Sequence, residues 1–377
     1  MTLNQLQVPV SPGEPIPAPV SPGARIGILG GGQLGRMLAL AAARLGFDVW
    51  IYEPEPDCPA GRVAARHVCA GYDNLDALAE FAAACAVVTY EFENVPAAAA
   101  ATVAAAGTPL RPSAQALAVT QDRLLEKDFL NSVGAPTVAY RAIDADADIA
   151  PALAELGAPA ILKTRRFGYD GKGQIKIAHA SEAAAAFAAL GGAPCILEVM
   201  AAFMSEASVI AARGVDGAFA AYDVSENEHE DHVLKRSRVP ARLAAATGAE
   251  AMAMARRVAE GLAYVGVLGL ELFVMPDGAL RANEVAPRVH NSGHWTPHAC
   301  AVGQFEQHIR AVCGWPIGAA TRLFDAEMVN LLGDAAADWR ALATDGDVRL
   351  ELYGKRSVRP GRKMGHYTRL FRIMNPI

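Results

Sequence analysis

The 377-residue sequence contains no run of about eighteen apolar residues, so no segment reads as a membrane-spanning helix. Its six cysteines, at 58, 69, 85, 195, 300 and 313, are scattered and never form a Cys-x-x-Cys pair, a pattern that suits buried free thiols in a reducing compartment. The N-terminus lacks a basic stretch followed by an apolar one, so no secretory signal is read and a cytoplasmic location is expected. There is no Gly-x-Ser-x-Gly and no cysteine in a nucleophile's context, which leaves nucleophilic acyl transfer without a candidate. Acids are missing altogether after Glu351. Lys355, Arg356, Arg359, Arg362, Lys363, Arg369 and Arg372 therefore form a tail of seven positive charges, and the net charge of −6 hides an acidic body of 27 basic and 40 acidic residues. That balance excludes the whole molecule as a nucleic-acid binder, while the tail reads as a solvated basic face or an anion site.

The composition is 52% apolar and 20% charged, which argues for a folded chain of two to four domains at roughly 100–200 residues each. Residues 1–24 hold six prolines and repeat Pro-Val-Ser-Pro-Gly at 9–13 and 19–23, so a disordered leader is expected there. From residue 25, an apolar run at 26–29, a glycine turn at 30–32, a helical pattern over 34–45 and strands at 48–52 and 87–90 predict βαβ units and a parallel sheet. A second α/β unit follows: strand 160–164, glycine loop 168–173, strand 174–177, helix 184–190 and strand 195–199. Residues 265–275 and 279–285 predict a β-hairpin.

Three constellations could carry chemistry. Gly30-x-Gly32-x-x-Gly35 opens a helix after a strand, and Glu53 ends the next strand; a nicotinamide or flavin site, another anion site and a structural turn all fit. Phe167-Gly168-Tyr169-Asp170-Gly171-Lys172-Gly173-Gln174 lacks the Walker spacing, but a glycine hairpin can close over phosphates, with Lys163 on the preceding strand; an ordinary flexible hairpin is the bland reading. If Asp277-Gly278 is a two-residue turn, Glu271 lies opposite Glu284, and two facing carboxylates in an apolar setting share a proton or clamp a cation. Oxygen-only ligands favour Mg2+, with Mn2+ as the variant. His290, His294 and His298 recur every four residues, yet Gly293 and Pro297 interrupt the helix a zinc face would need, so the segment reads as a polar loop able to hold phosphate or simply as surface.

These pieces, taken in order, resemble the ATP-grasp superfamily, and within it most closely the N5-carboxyaminoimidazole ribonucleotide synthase family. The match rests on Gly30-Gly31-Gly32-Gln33-Leu34-Gly35-Arg36-Met37, the glycine loop at 168–174, Asn283-Glu284-Val285-Ala286-Pro287-Arg288-Val289-His290-Asn291-Ser292-Gly293-His294-Trp295, and Arg359-Pro360-Gly361-Arg362-Lys363-Met364-Gly365-His366. The resemblance implies an α/β chain with a Rossmann-like parallel-sheet domain at 25–122, an ATP-grasp domain of two α+β subdomains at 123–325, and a small β-rich C-terminal domain at 326–377. It implies nucleotide positions at Arg123, Lys163, Gly168, Tyr169, Asp170, Gly171, Lys172, Gly173, Gln174, Glu198, Val199, Met200, Ala201, Glu206, His229, Asn283 and Glu284, with Glu271 and Glu284 as metal ligands. Gly32, Gln33, Leu34, Glu91, Arg288, His290, Asn291, Ser292, Lys355 and Arg362 take the ribonucleotide positions.

The implied reaction belongs to purine biosynthesis. ATP phosphorylates bicarbonate to carboxyphosphate, which delivers CO2 to the exocyclic amine of 5-aminoimidazole ribonucleotide under a closed lid. Tyr169 and Asp170 would face the reacting centre beside Lys163, and Asp170 would take the proton. A homodimer is implied, with small molecules and neither nucleic acid nor membrane as partners. Two other readings stand beside it: a formate-dependent glycinamide ribonucleotide transformylase of the same superfamily, and an NAD-dependent dehydrogenase built on the Gly30 turn.

Overall fold

The computed structural model describes residues 16–168 and 172–373, so Tyr169, Asp170 and Gly171 of the glycine loop, and the first fifteen residues, lie outside the described residues. The described residues form three sheets. In the first, Arg25–Leu29 pairs in parallel with Asp48–Tyr52 on one side and Val87–Tyr90 on the other, and Arg66–Val68 adds an edge. The apolar runs at 26–29 and 87–90 are buried on both faces, as strands of a covered parallel sheet must be. The helix Gln33–Arg44 crosses that sheet and buries Leu34, Met37, Leu38, Ala41 and Ala42.

The second sheet is antiparallel, with Ala160–Thr164 between Gln174–Ile177 and Cys195–Val199, and Tyr140–Ile143 outermost. Its apolar face packs Leu162, Ile177, Leu197 and Phe187 beneath two short helices. The third sheet runs from Leu280–Ala286 through Gly266–Val274, Ser205–Arg213, Ser225–Glu230, Val233–Val239, Asp325–Leu332 and Lys363–Phe371 to Val348–Leu352. The C-terminal strands thus extend the central sheet: Arg236 pairs with Val329 and Arg238 with Glu327 across the junction. This puts the basic tail in the same sheet as the strands Gly266–Val274 and Leu280–Ala286 that carry Glu271 and Glu284, toward its opposite end.

The expectation of a disordered leader fails for residues 16–24. Val20 donates its N–H to the Cys313 carbonyl at 2.8 Å, its own carbonyl accepts from Trp315 Nε1 at 2.7 Å, and Gly23 N donates to the Gly46 carbonyl at 2.7 Å. Proline cannot donate, but the few non-proline residues between the prolines can, and here they dock the segment beside the Phe47–Trp315 ring pair.

One histidine stitches the parallel sheet to the large one. His308 is fully buried; its Nδ1 accepts from Val267 N at 3.0 Å, so Nε2 carries the proton and reaches Thr89 Oγ1 at 2.8 Å. Burial pushes the imidazole down to about 3. Below the unfolded value near 6.5 the unfolded chain binds a proton that the folded chain refuses, so stability falls as pH drops from there toward 3. Comparing urea unfolding of the parent and His308→Gln between pH 6 and 4 should show a variant slope shallower by roughly 1.4 kcal/mol per pH unit. Parallel slopes would remove His308 from this role.

Candidate active site

The candidate acids lie where the hairpin departs from its expected geometry. Met275 N donates to the Ala279 carbonyl and Gly278 N to the Met275 carbonyl, both at 2.8 Å, and Gly278 has φ +81°. The turn is therefore a three-residue loop over Pro276, Asp277 and Gly278, because the left-handed residue falls at its end; it is not the two-residue turn the Asp-Gly pair suggests. Leu272 consequently pairs with Ala282, one residue away from the expected register. A shift between Leu270 and Leu272 restores the pairing Leu270–Val285, leaving Glu271 at a bulge facing Asn283 and Glu284. Square opposition of Glu271 and Glu284 is thus corrected, yet the two remain in each other's field. Burial and then the Glu284 charge push the Glu271 carboxyl up to about 7.

The helix Arg123–Ser132 brings the next layer. Asp122 caps it, accepting from Leu124 N at 3.0 Å, and residues 123, 126 and 127 fall on one face. Arg123 Nη1 lies 3.2 Å from Glu284 Oε2. Glu126 accepts from Val285 N at 2.6 Å, and its carboxyl is pushed up to about 8 by burial and by Glu284. Lys127 Nζ sits 3.4 Å from Glu198 Oε1 and 3.4 Å from the Asn283 carbonyl, while Lys163 Nζ lies 2.9 Å from Glu198 Oε2. Burial would raise Glu198, but Lys163, Lys127 and Arg123 outweigh it and hold the carboxyl down at about 2. Of the three residues on this face, the sequence reading named Arg123 and passed over Glu126 and Lys127. The signal was their spacing on one helical turn, which any solvated helix face also shows.

Lys163 and Glu198 share a face of the second sheet, since Ile161 opposes Glu198 two residues from Lys163. The glycine loop starts beside them: Gln174 pairs with Lys163, and Thr164 N donates to the Gly173 carbonyl at 2.8 Å. Gly168 lines a cleft of about 500 Å³ together with Arg123, Glu126, Arg165, Glu284 and Arg288. Beyond Val199, Met200 and Phe203 are exposed on the way to Glu206, with Phe203 stacked on Phe273 at 4.6 Å. Glu206 Oε2 lies 2.6 Å from His229 Nδ1; burial lowers that imidazole, and the Glu206 hydrogen bond and charge raise it beyond its ordinary value.

On the other side of the hairpin, His290 Nε2 reaches Glu271 Oε1 at 3.3 Å. Its Nδ1 meets Ser292 Oγ at 2.9 Å, Ser208 Oγ donates to Ser292 Oγ at 2.6 Å, and Asn227 Nδ2 donates to Ser208 Oγ at 2.9 Å. Burial, then Arg288 and Lys363, push His290 down to about 3, so it is neutral near pH 7. Arg288 Nε lies 2.5 Å from Glu93 Oε2. Asn291 is buried, and neither its amide nitrogen nor its oxygen has a hydrogen-bond partner, which marks a polar position shaped for something other than the chain itself.

The glycine turn has a different occupant from the one a dinucleotide fingerprint predicts. Gly32 N and Gly35 N donate to the two oxygens of Glu91 at 2.5 and 2.8 Å, and Gly31 N donates to Glu53 at 2.9 Å. Carboxylates of the chain fill the helix N-terminus beside Gln33 and buried Leu34, and Glu53 faces backbone where a ribose would need it. The basic tail divides as well. Arg356 pairs with Asp57 at 2.5 Å and Arg369 with Asp345 at 2.9 Å, whereas Lys363 is close enough to help lower His290 and His294. Lys355 Nζ stands 5.7 Å from the Tyr353 ring, and Arg362 Nη1 donates to the Ser357 carbonyl at 2.9 Å. His294 Nδ1 is met by Gln304 Nε2 at 3.1 Å, and no group of three His, Cys, Asp or Glu side chains forms a metal cluster among the described residues.

Residues 128–305 match the ATP-grasp domain, 24–121 the ribonucleotide synthetase preATP-grasp domain, and 326–374 the phosphoribosylaminoimidazole carboxylase C-terminal domain. The chain is 52% identical to the N5-carboxyaminoimidazole ribonucleotide synthase of Brucella melitensis over 93% of its own length and 97% of that protein's. The Staphylococcus aureus N5-carboxyaminoimidazole synthetase complexed with ADP superposes with a TM-score of 0.88 at 36% identity, covering 93% of this chain and 94% of that one. The Aspergillus clavatus enzyme in complex with ADP and 5-aminoimidazole ribonucleotide gives 0.86 at 31% identity, covering 92% and 94%. This chain therefore belongs to the N5-carboxyaminoimidazole ribonucleotide synthase family of ATP-grasp ligases.

Proposed function

We propose that this chain carboxylates the exocyclic amine of 5-aminoimidazole ribonucleotide, using ATP and bicarbonate, as a step of purine biosynthesis. The observation that carries the reading is the placement of Glu271 and Glu284 at one bulge, between the Arg123–Lys163 cluster on one side and the His290–Asn291 loop on the other. A carboxylate raised by burial and by the charge of a second one beside it is suited to sharing a divalent cation, and the all-oxygen chemistry of the pair fits Mg2+ or Mn2+. When bound there, the cation would offset charge on the transferring phosphoryl group.

On the nucleotide side, the backbone at 198–201 and Glu206 would hold adenosine, with His229 fixing Glu206. Arg123, Lys163 and the glycine loop would hold the phosphates, and Asn283 would orient Glu271 through its side-chain hydrogen bond. Phosphorylated bicarbonate is labile in water, so closure of the loop over the cleft is what the chemistry requires of residues 168–174. On the acceptor side, Arg288, Asn291, Ser292, Lys355 and Arg362 would hold the sugar phosphate, and Gly32, Gln33, Leu34 and Glu91 the rest of the ribonucleotide. His290, neutral with its Nε2 proton directed at Glu271, serves as a hydrogen-bond donor that positions and not as an acid. Asp170 would accept the amine proton. Family likeness also supports a cytoplasmic homodimer.

ADP release should require bicarbonate and 5-aminoimidazole ribonucleotide together; release with formate and glycinamide ribonucleotide instead would favour the transformylase reading. Glu284→Gln should reduce Mg2+-dependent ADP formation by at least about a hundredfold with an unchanged melting profile. Retained activity would sink the metal assignment. Lys355→Ala should raise KM for the ribonucleotide by about tenfold or more while KM for ATP stays within about twofold, since only one substrate would lose a charged contact.

A further inference from the structure

We propose that Lys127 is a positioning residue that keeps Lys163 available to the nucleotide by serving as the second counterion of Glu198. The inference rests on the reading that Lys163 faces the nucleotide phosphates. One carboxylate stands between two ammonium groups, 2.9 Å from Lys163 and 3.4 Å from Lys127, so the cluster carries a net charge of +1. The lysines are not equivalent. The Lys127 side chain is 2% exposed and the Lys163 side chain 11%, so Lys163 is the more accessible of the two to an entering anion.

When Lys163 turns toward that anion, it gives up its contact with Glu198. A buried carboxylate left without a partner is the costly state, far more so than the loss of an ion pair as a whole. Lys127 prevents it by remaining behind. The same helical turn also grips the hairpin on both sides of Glu284: Lys127 Nζ reaches the Asn283 carbonyl at 3.4 Å, and Glu126 accepts from Val285 N at 2.6 Å. Lys127 therefore ties the charge behind Lys163 to the backbone that presents Glu284.

Removing Lys127 alone takes the cluster from +1 to neutral and locks Lys163 onto Glu198. Removing both Lys127 and the Glu198 charge returns it to +1 and frees Lys163. In the full-length protein, Lys127→Met should weaken MgADP binding by calorimetry, and raise KM for ATP, by about tenfold, with KM for the ribonucleotide within about twofold. Lys127→Met combined with Glu198→Gln should recover MgADP affinity to within about threefold of the parent. A residue that only supports the fold, or one that itself touches the phosphates, predicts no such recovery.

The proposal is overturned if Lys127→Met binds MgADP like the parent, or if the double variant is no better than the single one. If the single variant does not accumulate folded, the double variant, free of an unpaired buried charge, decides alone on the same threshold. A parent that binds no MgADP overturns the nucleotide reading and this inference with it. A parent that binds, with the variants failing to follow the pattern, overturns the inference alone.

Discussion

The mutual repulsion of Glu271 and Glu284 is the constraint around which this site is built. Two like charges held side by side and partly out of water repel, which a fold under selection for stability alone would avoid. Here the repulsion is fixed in place by a β-bulge, which turns Glu271 toward Asn283 and Glu284 where a regular ladder would set it by register. The neighbours relieve only part of it. Arg123 meets Glu284 and His290 offers a proton to Glu271, yet Glu271 remains pushed up to about 7. A local conflict held by good surrounding packing is the pattern expected of a functional site.

Elsewhere the fold handles buried charge in the opposite manner. Glu198 is matched by two lysines, Glu93 by Arg288, and Glu91 by the N–H groups of Gly32 and Gly35. Each acid in these three groups has its partner inside the protein. The contrast gives the unmatched features their meaning: a raised Glu271 on the hairpin, and an Asn291 amide with no partner on the loop beyond it. One sits on the hairpin and the other on the loop that follows it. The arrangement depends on the large sheet being continuous. Glu271 and Glu284 lie on the two strands at one end of it, and Lys363, on a strand toward the other end, still lowers His290 on the loop after the hairpin.

Much of the fold was legible because it follows local rules. The strands Asp48–Tyr52, Val87–Tyr90, Ala160–Thr164, Gln174–Ile177 and Cys195–Val199 coincide with apolar runs bounded by turn residues. Local rules also produced the errors. Asp-Gly is the strongest hairpin signal, yet Pro276 lengthens the loop to three residues, and no neighbour in sequence reveals the bulge that then rescues the facing of the acids. Proline content predicted disorder at 16–24, where a few backbone hydrogen bonds to Cys313 and Trp315 decide otherwise. Glu126 and Lys127 were invisible for a related reason: their partners lie on other sheets, so nothing within the helix distinguishes them from a solvated face. The Gly30 fingerprint was real as a helix N-terminus, but its occupant is a carboxylate contributed by residue 91.

The central claim is that the Glu271–Glu284 bulge is a cation site coupled to a nucleotide site. Mn2+ binding followed by electron paramagnetic resonance, with and without ADP, tests it most directly. The account predicts one Mn2+ per chain, bound about tenfold more tightly or better once ADP is present, because phosphate oxygens complete a ligand set that the two carboxylates begin. Mn2+ binding that ignores ADP, or that survives Glu271→Gln together with Glu284→Gln, would contradict it.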